Sequence, residues 1–437
     1  VIARPDGLVR RQARTILLLF MGYGAYYFCR ANLSVATPLL IDELGRHGLA
    51  APAAMVRLGS LASAGVFAYA LGKLFLTGLA DLWGGRRAFL SGLGGAALFT
   101  LAFAAGGSLP IFTLAWLGNR LVQSIGWAGL LKVSSKWFNF SSYGSIIGLL
   151  SVSYLVGDAI ARPAMGAMIA HGFGWRALFE FAAAVAALLL LANFLFLRES
   201  RSEFGYAPAV ANPLNLFAHT EERPARLREL LGPLLRSRAF LLVCLLSFGC
   251  TIIRETFNFW TPQYLHGAFG YSAAEAATLS AVFPGVGVIS VLATGWLSDR
   301  LGVTGRPAIL FAGLTAAAAT LLALALFPGG THAAWLAVAL IGLVAFCLLG
   351  PYSYLGGAFA LDFGGLRAGA AASGIIDGVG YLGGALAGDS VARLAVAFGW
   401  RGVFVALALV CGASALAAAT LFQHQRQLLV AVEKHHA

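Results

Sequence analysis

Apolar residues run through this chain in long blocks, broken only by short polar interruptions. About 20 residues of α-helix cross the hydrocarbon core of a bilayer. Twelve blocks reach that length, near 16–38, 58–82, 88–107, 109–131, 143–170, 175–197, 239–262, 273–298, 306–327, 333–357, 368–396 and 400–422. The pattern predicts an all-α membrane protein of twelve transmembrane helices. The first block is too long for a cleavable signal peptide and no small-residue cleavage pattern follows it, so it is expected to remain as a helix.

The polar stretch 198–238 is the one long interruption, and it divides six blocks from six. It holds Pro208, Pro213, Pro224 and Pro233 together with seven arginines. The halves on either side repeat one another. Gly78-Leu79-Ala80-Asp81-Leu82-Trp83-Gly84-Gly85-Arg86-Arg87 follows the second block, and Gly295-Trp296-Leu297-Ser298-Asp299-Arg300-Leu301-Gly302 follows the eighth. Gly174-Trp175-Arg176 opens the sixth and Gly399-Trp400-Arg401 the twelfth. Inside the fifth and eleventh, Asp158 and Arg162 match Asp389 and Arg393, each pair four residues apart and so on one helix face. Three matches in one order imply two six-helix pseudo-repeats. A glycine turn lets Asp81 or Asp299 cap a helix or meet an arginine, which makes both aspartates candidates for a gate. The Asp158–Arg162 and Asp389–Arg393 pairs read either as local pairs that ease insertion or as a latch between the halves.

Composition removes the soluble alternatives. The chain is 59% apolar and 11% charged with a mean hydropathy of +0.81, whereas about a quarter of a soluble protein is charged. Its net charge of +12 points to topology rather than to nucleic acid. Of the 30 Lys and Arg, 20 fall at the termini and in the even-numbered loops, 4 in the odd-numbered loops and 6 inside the blocks. That asymmetry places both termini in the cytoplasm. The expected organisation is an N-terminal six-helix bundle over 1–197, a cytoplasmic interdomain loop over 198–238, and a C-terminal six-helix bundle with a short cytoplasmic tail over 239–437. The five cysteines lie in apolar blocks without metal-ligand spacing, and no catalytic constellation is found. Neither a metal, a cofactor nor an enzymatic activity is expected.

Two arginines stand out, because Arg30 and Arg254 lie midway along the first and seventh blocks. A guanidinium at the centre of a spanning helix costs roughly 2.5–3.5 kcal/mol on insertion scales. Its planar fork matches a phosphate or carboxylate, so the pair reads as an anion site in a carrier. A structural ion pair with an acid on another helix is the plainer reading of Arg30, and snorkelling to the surface that of Lys73.

Around these arginines the chain resembles a known family. Tyr26-Tyr27-Phe28-Cys29-Arg30-Ala31-Asn32-Leu33-Ser34-Val35-Ala36-Thr37-Pro38 and Arg254-Glu255-Thr256-Phe257-Asn258-Phe259-Trp260-Thr261-Pro262-Gln263-Tyr264-Leu265 look like motifs of the first and seventh helices of the organophosphate:phosphate antiporters, within the major facilitator superfamily. Lys73, Gln123-Ser124-Ile125-Gly126-Trp127, Gly350-Pro351 and Gly378-Val379-Gly380-Tyr381-Leu382-Gly383-Gly384 follow in family order. The resemblance implies a central cavity between rocking halves and exchange of a sugar phosphate, glycerol phosphate or similar metabolite for inorganic phosphate. It puts Arg30, Arg254 and Lys73 on the phosphoryl group. By helical position Tyr27 and Trp260 are nearest the arginines, with Tyr23 one turn further on that face of the first span, and they read either as cavity lining or as packing. Ala31 stands where the family often has lysine, Tyr154 where glycerol-3-phosphate carriers often have histidine, and Phe259 where an acid is common. Glu255 is expected to face another side of the helix from Arg254, since neighbours diverge by about 100°. Together with Asp377 it is a candidate for proton coupling. A sugar-phosphate sensor and a proton-coupled carrier of another organic anion remain alternatives. The expected partners are the lipid bilayer and the small anion, in a monomeric protein of the cell (inner) membrane.

Overall fold

The computed structural model describes residues 5–76, 83–209, 234–326 and 334–436, and every regular element among them is helical. In chain order the α-helices are α1 (Pro5–Arg46), α2 (Ala51–Phe75), α3 (Gly85–Ala105), α4 (Leu109–Trp137), α5 (Phe140–Ala170) and α6 (Trp175–Phe196). The second set is α7 (Arg238–Phe269), α8 (Ala273–Leu279), α9 (Val282–Leu326), α10 (Ala334–Tyr352), α11 (Ala360–Gly384) and α12 (Leu386–His436).

Local sequence sets many of their ends. Pro52 and Pro110 occupy first turns of α2 and α4, where a missing N–H has no helical partner to lose. The Ser237 hydroxyl accepts from the Phe240 N–H at 3.3 Å to cap α7, and Ser272 and Glu275 cap α8 reciprocally. Gly270 closes α7 at φ 71°, its N–H returned to the His266 carbonyl.

Nine segments among the described residues are long and apolar enough to cross a membrane. Two further helices have the length but carry polar groups in their middles: Arg30 and Asn32 in α1, and Asn119, Arg120 and Gln123 in α4. The segment Ala372–His424 covers two expected spans. Within it Gly399, at φ 65° and ψ −179°, adopts a backbone that only glycine takes without strain, at the expected start of the last span. Two boundaries differ from the sequence expectation. Helical backbone continues from Val282 to Leu326 through the polar turn at 299–305. The expected span 368–396 is instead divided at Ala385, between α11 and α12.

Cα packing sorts the chain into two units. One comprises Val1–Ala54, Ala64–Asn215 and Tyr271–Ala281, and the other Met55–Ser63, Leu216–Gly270 and Val282–Ala437. In the first, α1 packs on α5 and α6, and α3 on α4 and α6. In the second, α7 packs on α11 and α12, and α9 on α10 and α12. The duplication read from the turns is thus also a duplication of packing. Close approach depends on glycine in the corresponding helix pairs of the two units. A Cβ at Gly157 of α5 would lie 2.5 Å from the Gly24 carbonyl of α1, and one at Gly380 of α11 would meet Thr251 of α7 at 2.9 Å.

Burial is inverted relative to a soluble protein. Leu114, Leu188, Leu326 and Leu409 are 67–71% exposed, while Arg120, Arg162 and Arg254 are no more than 6% exposed. Lipid is the solvent this surface suits.

Candidate substrate-binding site

In the first unit, Arg30 is held from two sides. Its Nε donates to Gln123 Oε1 at 3.1 Å and its Nη1 to the Tyr27 hydroxyl at 2.9 Å. The guanidinium carbon lies 4.5 Å from the Tyr27 ring centre and 4.6 Å from that of Tyr69. Gln123 is itself fixed, donating to Asn119 Oδ1 at 2.6 Å, and Asn119 donates to the Ala96 carbonyl and the Thr100 hydroxyl. The acceptor that aims Arg30 is therefore anchored through α4 to α3. These named partners of Arg30 carry no charge.

Lys73 joins the same wall, its Nζ 5.6 Å from the Tyr69 ring centre. Tyr27 packs against Tyr154 at 5.2 Å between ring centres and against Tyr23 at 6.0 Å, and Tyr23 reaches Trp127 at 5.2 Å. The structure thus gathers Arg30, Lys73, Tyr23, Tyr27 and Tyr154. Two participants escaped the sequence reading, Tyr69 and Arg120. Arg120 is 2% exposed and lies 5.2 Å from the Tyr69 ring centre. The available signal was a charge at the middle of α4, one turn before Gln123.

In the second unit, Arg254 Nη2 donates to Glu255 Oε1 at 2.6 Å, which corrects the expectation that the two face apart. Their Cα–Cβ bonds diverge, but both side chains are long enough to fold back, and burial to 7% and 12% exposure strengthens the attraction. The guanidinium lies 4.8 Å from the Tyr352 ring centre and 5.4 Å from that of Tyr381. Tyr352 follows Gly350-Pro351 directly and Tyr381 lies within the glycine-rich motif, so both were near quoted signals. Asp377 packs against backbone, since a Cβ at Gly356 would lie 2.5 Å from its Oδ1. Trp260 is 1% exposed, donates to the Ala387 carbonyl at 2.9 Å, and packs on Phe259 and Trp400. Its indole is engaged in packing.

The gate candidates separate. Asp81 lies outside the described residues, and so does the side chain of Asp299. Arg162 meets Asp158 at 2.9 and 3.2 Å and also donates to Ser280 at 3.1 Å. Arg393 meets Asp389 at 2.7 and 3.2 Å, and Asp389 accepts from Ser60 at 2.5 Å. Each ion pair is made within its own helix, with one serine from another segment of the same unit.

One further charged centre was not anticipated. Glu199, beyond α6, accepts from the Gly85 and Arg86 N–H groups at 2.9 and 2.6 Å and from Lys136 at 2.6 Å. It caps the start of α3, where a carboxylate suits the helix dipole. Partial burial pushes its carboxyl upward, but Lys136 and those two N–H groups outweigh this and hold it below the ordinary 4.5.

Comparison with known proteins agrees with this picture. The model of the Major Facilitator Superfamily matches residues 19–388. The chain is 26% identical to a protein named probable hexose phosphate transport protein from Chlamydia muridarum, over 95% of this chain and 92% of that one. It is 24% identical to the glycerol-3-phosphate transporter of Bacillus subtilis, over 92% and 90%, and 26% identical to the membrane sensor protein UhpC of Escherichia coli, over 94% and 92%. Among solved structures, a bacterial homolog of the human lysosomal transporter Spinster, in an inward-facing conformation, aligns with a TM-score of 0.71 at 17% identity, over 96% of this chain and 98% of that one.

Proposed function

The chain is a member of the Major Facilitator Superfamily, and we propose that this multi-pass transporter exchanges an organophosphate for inorganic phosphate by alternating access. Arg30 and Arg254 are the phosphoryl ligands, Lys73 assists, and Tyr27 and Tyr154 line the organic end. The observation that carries this reading is the setting of Arg30. Its fork is aimed by Gln123 and Tyr27, and it shares the Tyr69 ring with Lys73. A phosphate monoester carries about −1.5 to −2 charges at pH 7, enough to offset such cations. A site that stays cationic when empty resists closure, which favours exchange over net movement. The relatives named for hexose phosphate and glycerol-3-phosphate support the same substrate class. We propose further that it works as a monomer in the cell (inner) membrane with both termini cytoplasmic, a topology that the Lys and Arg asymmetry supports.

A second reading is supported by the relative named a membrane sensor, which has the same family fold and a comparable identity. Entry of labelled inorganic phosphate into phosphate-loaded proteoliposomes separates the two. Transport predicts flux that hexose 6-phosphate or glycerol 3-phosphate inhibits. Binding of these esters without flux would select the sensor, and no binding of phosphate or ester would contradict both.

A further inference from the structure

One face of α1 changes its chemistry along its length. Gly7, Arg10, Arg11 and Arg14 line an open cavity of about 320 Å³, and Leu17 and Met21 continue that face at helical spacing. Both apolar side chains are exposed, at 60% and 46%. Phe196, the last residue of the spanning helix α6, is 51% exposed, and its carbonyl lies 3.5 Å from Arg14 Nη2. Water and lipid therefore meet at Arg14, with arginines on one side of the boundary and bare hydrocarbon on the other. A second segment supports the arginines. The Arg11 guanidinium lies 3.6 Å from the Phe204 ring centre, and a Cβ at Gly7 would lie 2.7 Å from the Tyr206 hydroxyl. Phe204 and Tyr206 flank Gly205, which turns the chain at φ 78°. Arg201, 6% exposed, ties that turn by donating to the Ala207 and Pro208 carbonyls, each at 2.6 Å. Gln12 donates to the Trp137 carbonyl at 3.1 Å, which fixes the rotation of α1 about its axis.

We infer that this cavity binds the headgroup of an anionic phospholipid, with the phosphodiester among Arg10, Arg11 and Arg14 and the acyl chains along Leu17, Met21 and Phe196. Arg14 and Arg30 lie 16 residues apart in the continuous helix α1, roughly 24 Å along its axis, so this site is separate from the substrate site. It holds whether or not phosphate is the cargo. A phospholipid joins a charged phosphate to hydrocarbon, and this helix face passes from Arg14 to Leu17 within one turn. Guanidinium forks suit phosphate oxygens, and basic clusters at the end of a spanning helix attract anionic headgroups. A free phosphate ion uses the arginines but leaves the apolar stripe uncovered. A choline headgroup adds a cation beside three others. Only a lipid of net negative charge satisfies both parts of the face.

Native mass spectrometry of the whole protein in dodecyl maltoside micelles reads bound lipid directly. The probes are phosphatidylglycerol, phosphatidylcholine with the same acyl chains, and glycerophosphoglycerol, the deacylated headgroup. Phosphatidylglycerol should half-saturate the protein at a concentration about tenfold or more below that of phosphatidylcholine, and the deacylated headgroup should not bind in that range. Joint replacement Arg10→Gln and Arg14→Gln should weaken phosphatidylglycerol binding about fivefold or more. The control pair Arg236→Gln and Arg238→Gln removes the same charge near the start of α7 and should leave binding within about twofold. All four arginines are exposed, so neither pair disturbs a buried contact. Equal binding of the two lipids overturns the assignment, as does equal weakening in the two double variants, which would reduce the effect to a general positive field. Headgroup binding as tight as that of the whole lipid would overturn the lipid in favour of a soluble phosphodiester. The wild-type comparison decides the matter even where a variant fails to fold.

Discussion

Arg254 turns back to the carboxylate of its own neighbour Glu255, at 2.6 Å, so the cation of the second unit is already partly neutralised by its own chain. With Arg254 as the proposed phosphoryl ligand, incoming phosphate competes with that carboxylate. Glu255→Gln should therefore tighten phosphate binding about three- to tenfold, a change of roughly 0.7–1.4 kcal/mol. Half-saturating phosphate in proteoliposome exchange reads this. Unchanged affinity would mean that the carboxylate does not oppose the ligand.

Gln123 accepts from Arg30 at 3.1 Å, and with Arg30 as the proposed phosphoryl ligand it is a positioning residue. Gln123→Leu removes an acceptor without changing any charge, and loss of one hydrogen bond to a charged group amounts to about 1.5–3 kcal/mol. Phosphate affinity should fall about tenfold or more, and the melting temperature should fall too, since the buried Asn119 Oδ1 loses its donor. An unaltered half-saturating concentration would show that Arg30 is oriented by other contacts.

The two matching ion pairs should differ in worth. Asp158 and Arg162 are buried to 8% and 2% side-chain exposure, whereas Asp389 and Arg393 are 31% and 65% exposed. Asp158→Asn strands a buried guanidinium and should destabilise by about 3–5 kcal/mol. Asp389→Asn acts where solvent screens the pair and should lower the melting temperature by less than a third as much. Melting curves of the two variants, measured side by side, check the ratio. Equal losses would contradict the role given to burial.

Glu199 gives a pH-dependent term. Its carboxyl titrates below 4.5 in the folded protein, so the folded state prefers it ionised. That stability is complete above the ordinary carboxylate value and is lost as pH falls through the lower folded one. Glu199→Gln should lower the melting temperature at pH 7 by the equivalent of about 0.5–2 kcal/mol, as for loss of a helix cap. Its deficit relative to wild type should shrink as the pH is taken below 4.5. A deficit independent of pH would assign the effect to packing.

The spans and the duplication were legible because lipid imposes one rule on every element: apolar residues at spanning length with backbone polar groups satisfied within the helix. Arg30 and Arg254 stood out for the same reason, as charges that break the rule, and Lys73 through the family resemblance. Arg120 broke it equally but matched no quoted motif and was passed over. The Arg254–Glu255 contact was missed because helical phase describes Cα–Cβ directions, not where a long side chain ends. Trp260 shows the converse limit, since a helical wheel cannot distinguish an indole that faces a ligand from one bonded to the Ala387 carbonyl. Glu199 was invisible because its partners, Gly85 and Arg86, lie more than a hundred residues away in sequence.

The most direct test of the account is labelled phosphate uptake into proteoliposomes loaded with phosphate or left empty, for the wild-type protein and for Arg30→Lys. The account predicts rapid uptake only into loaded wild-type vesicles, and at least a tenfold loss when lysine replaces the fork of Arg30 with a point charge. Equal uptake into empty and loaded vesicles would contradict exchange, and full activity of Arg30→Lys would contradict the arginine site.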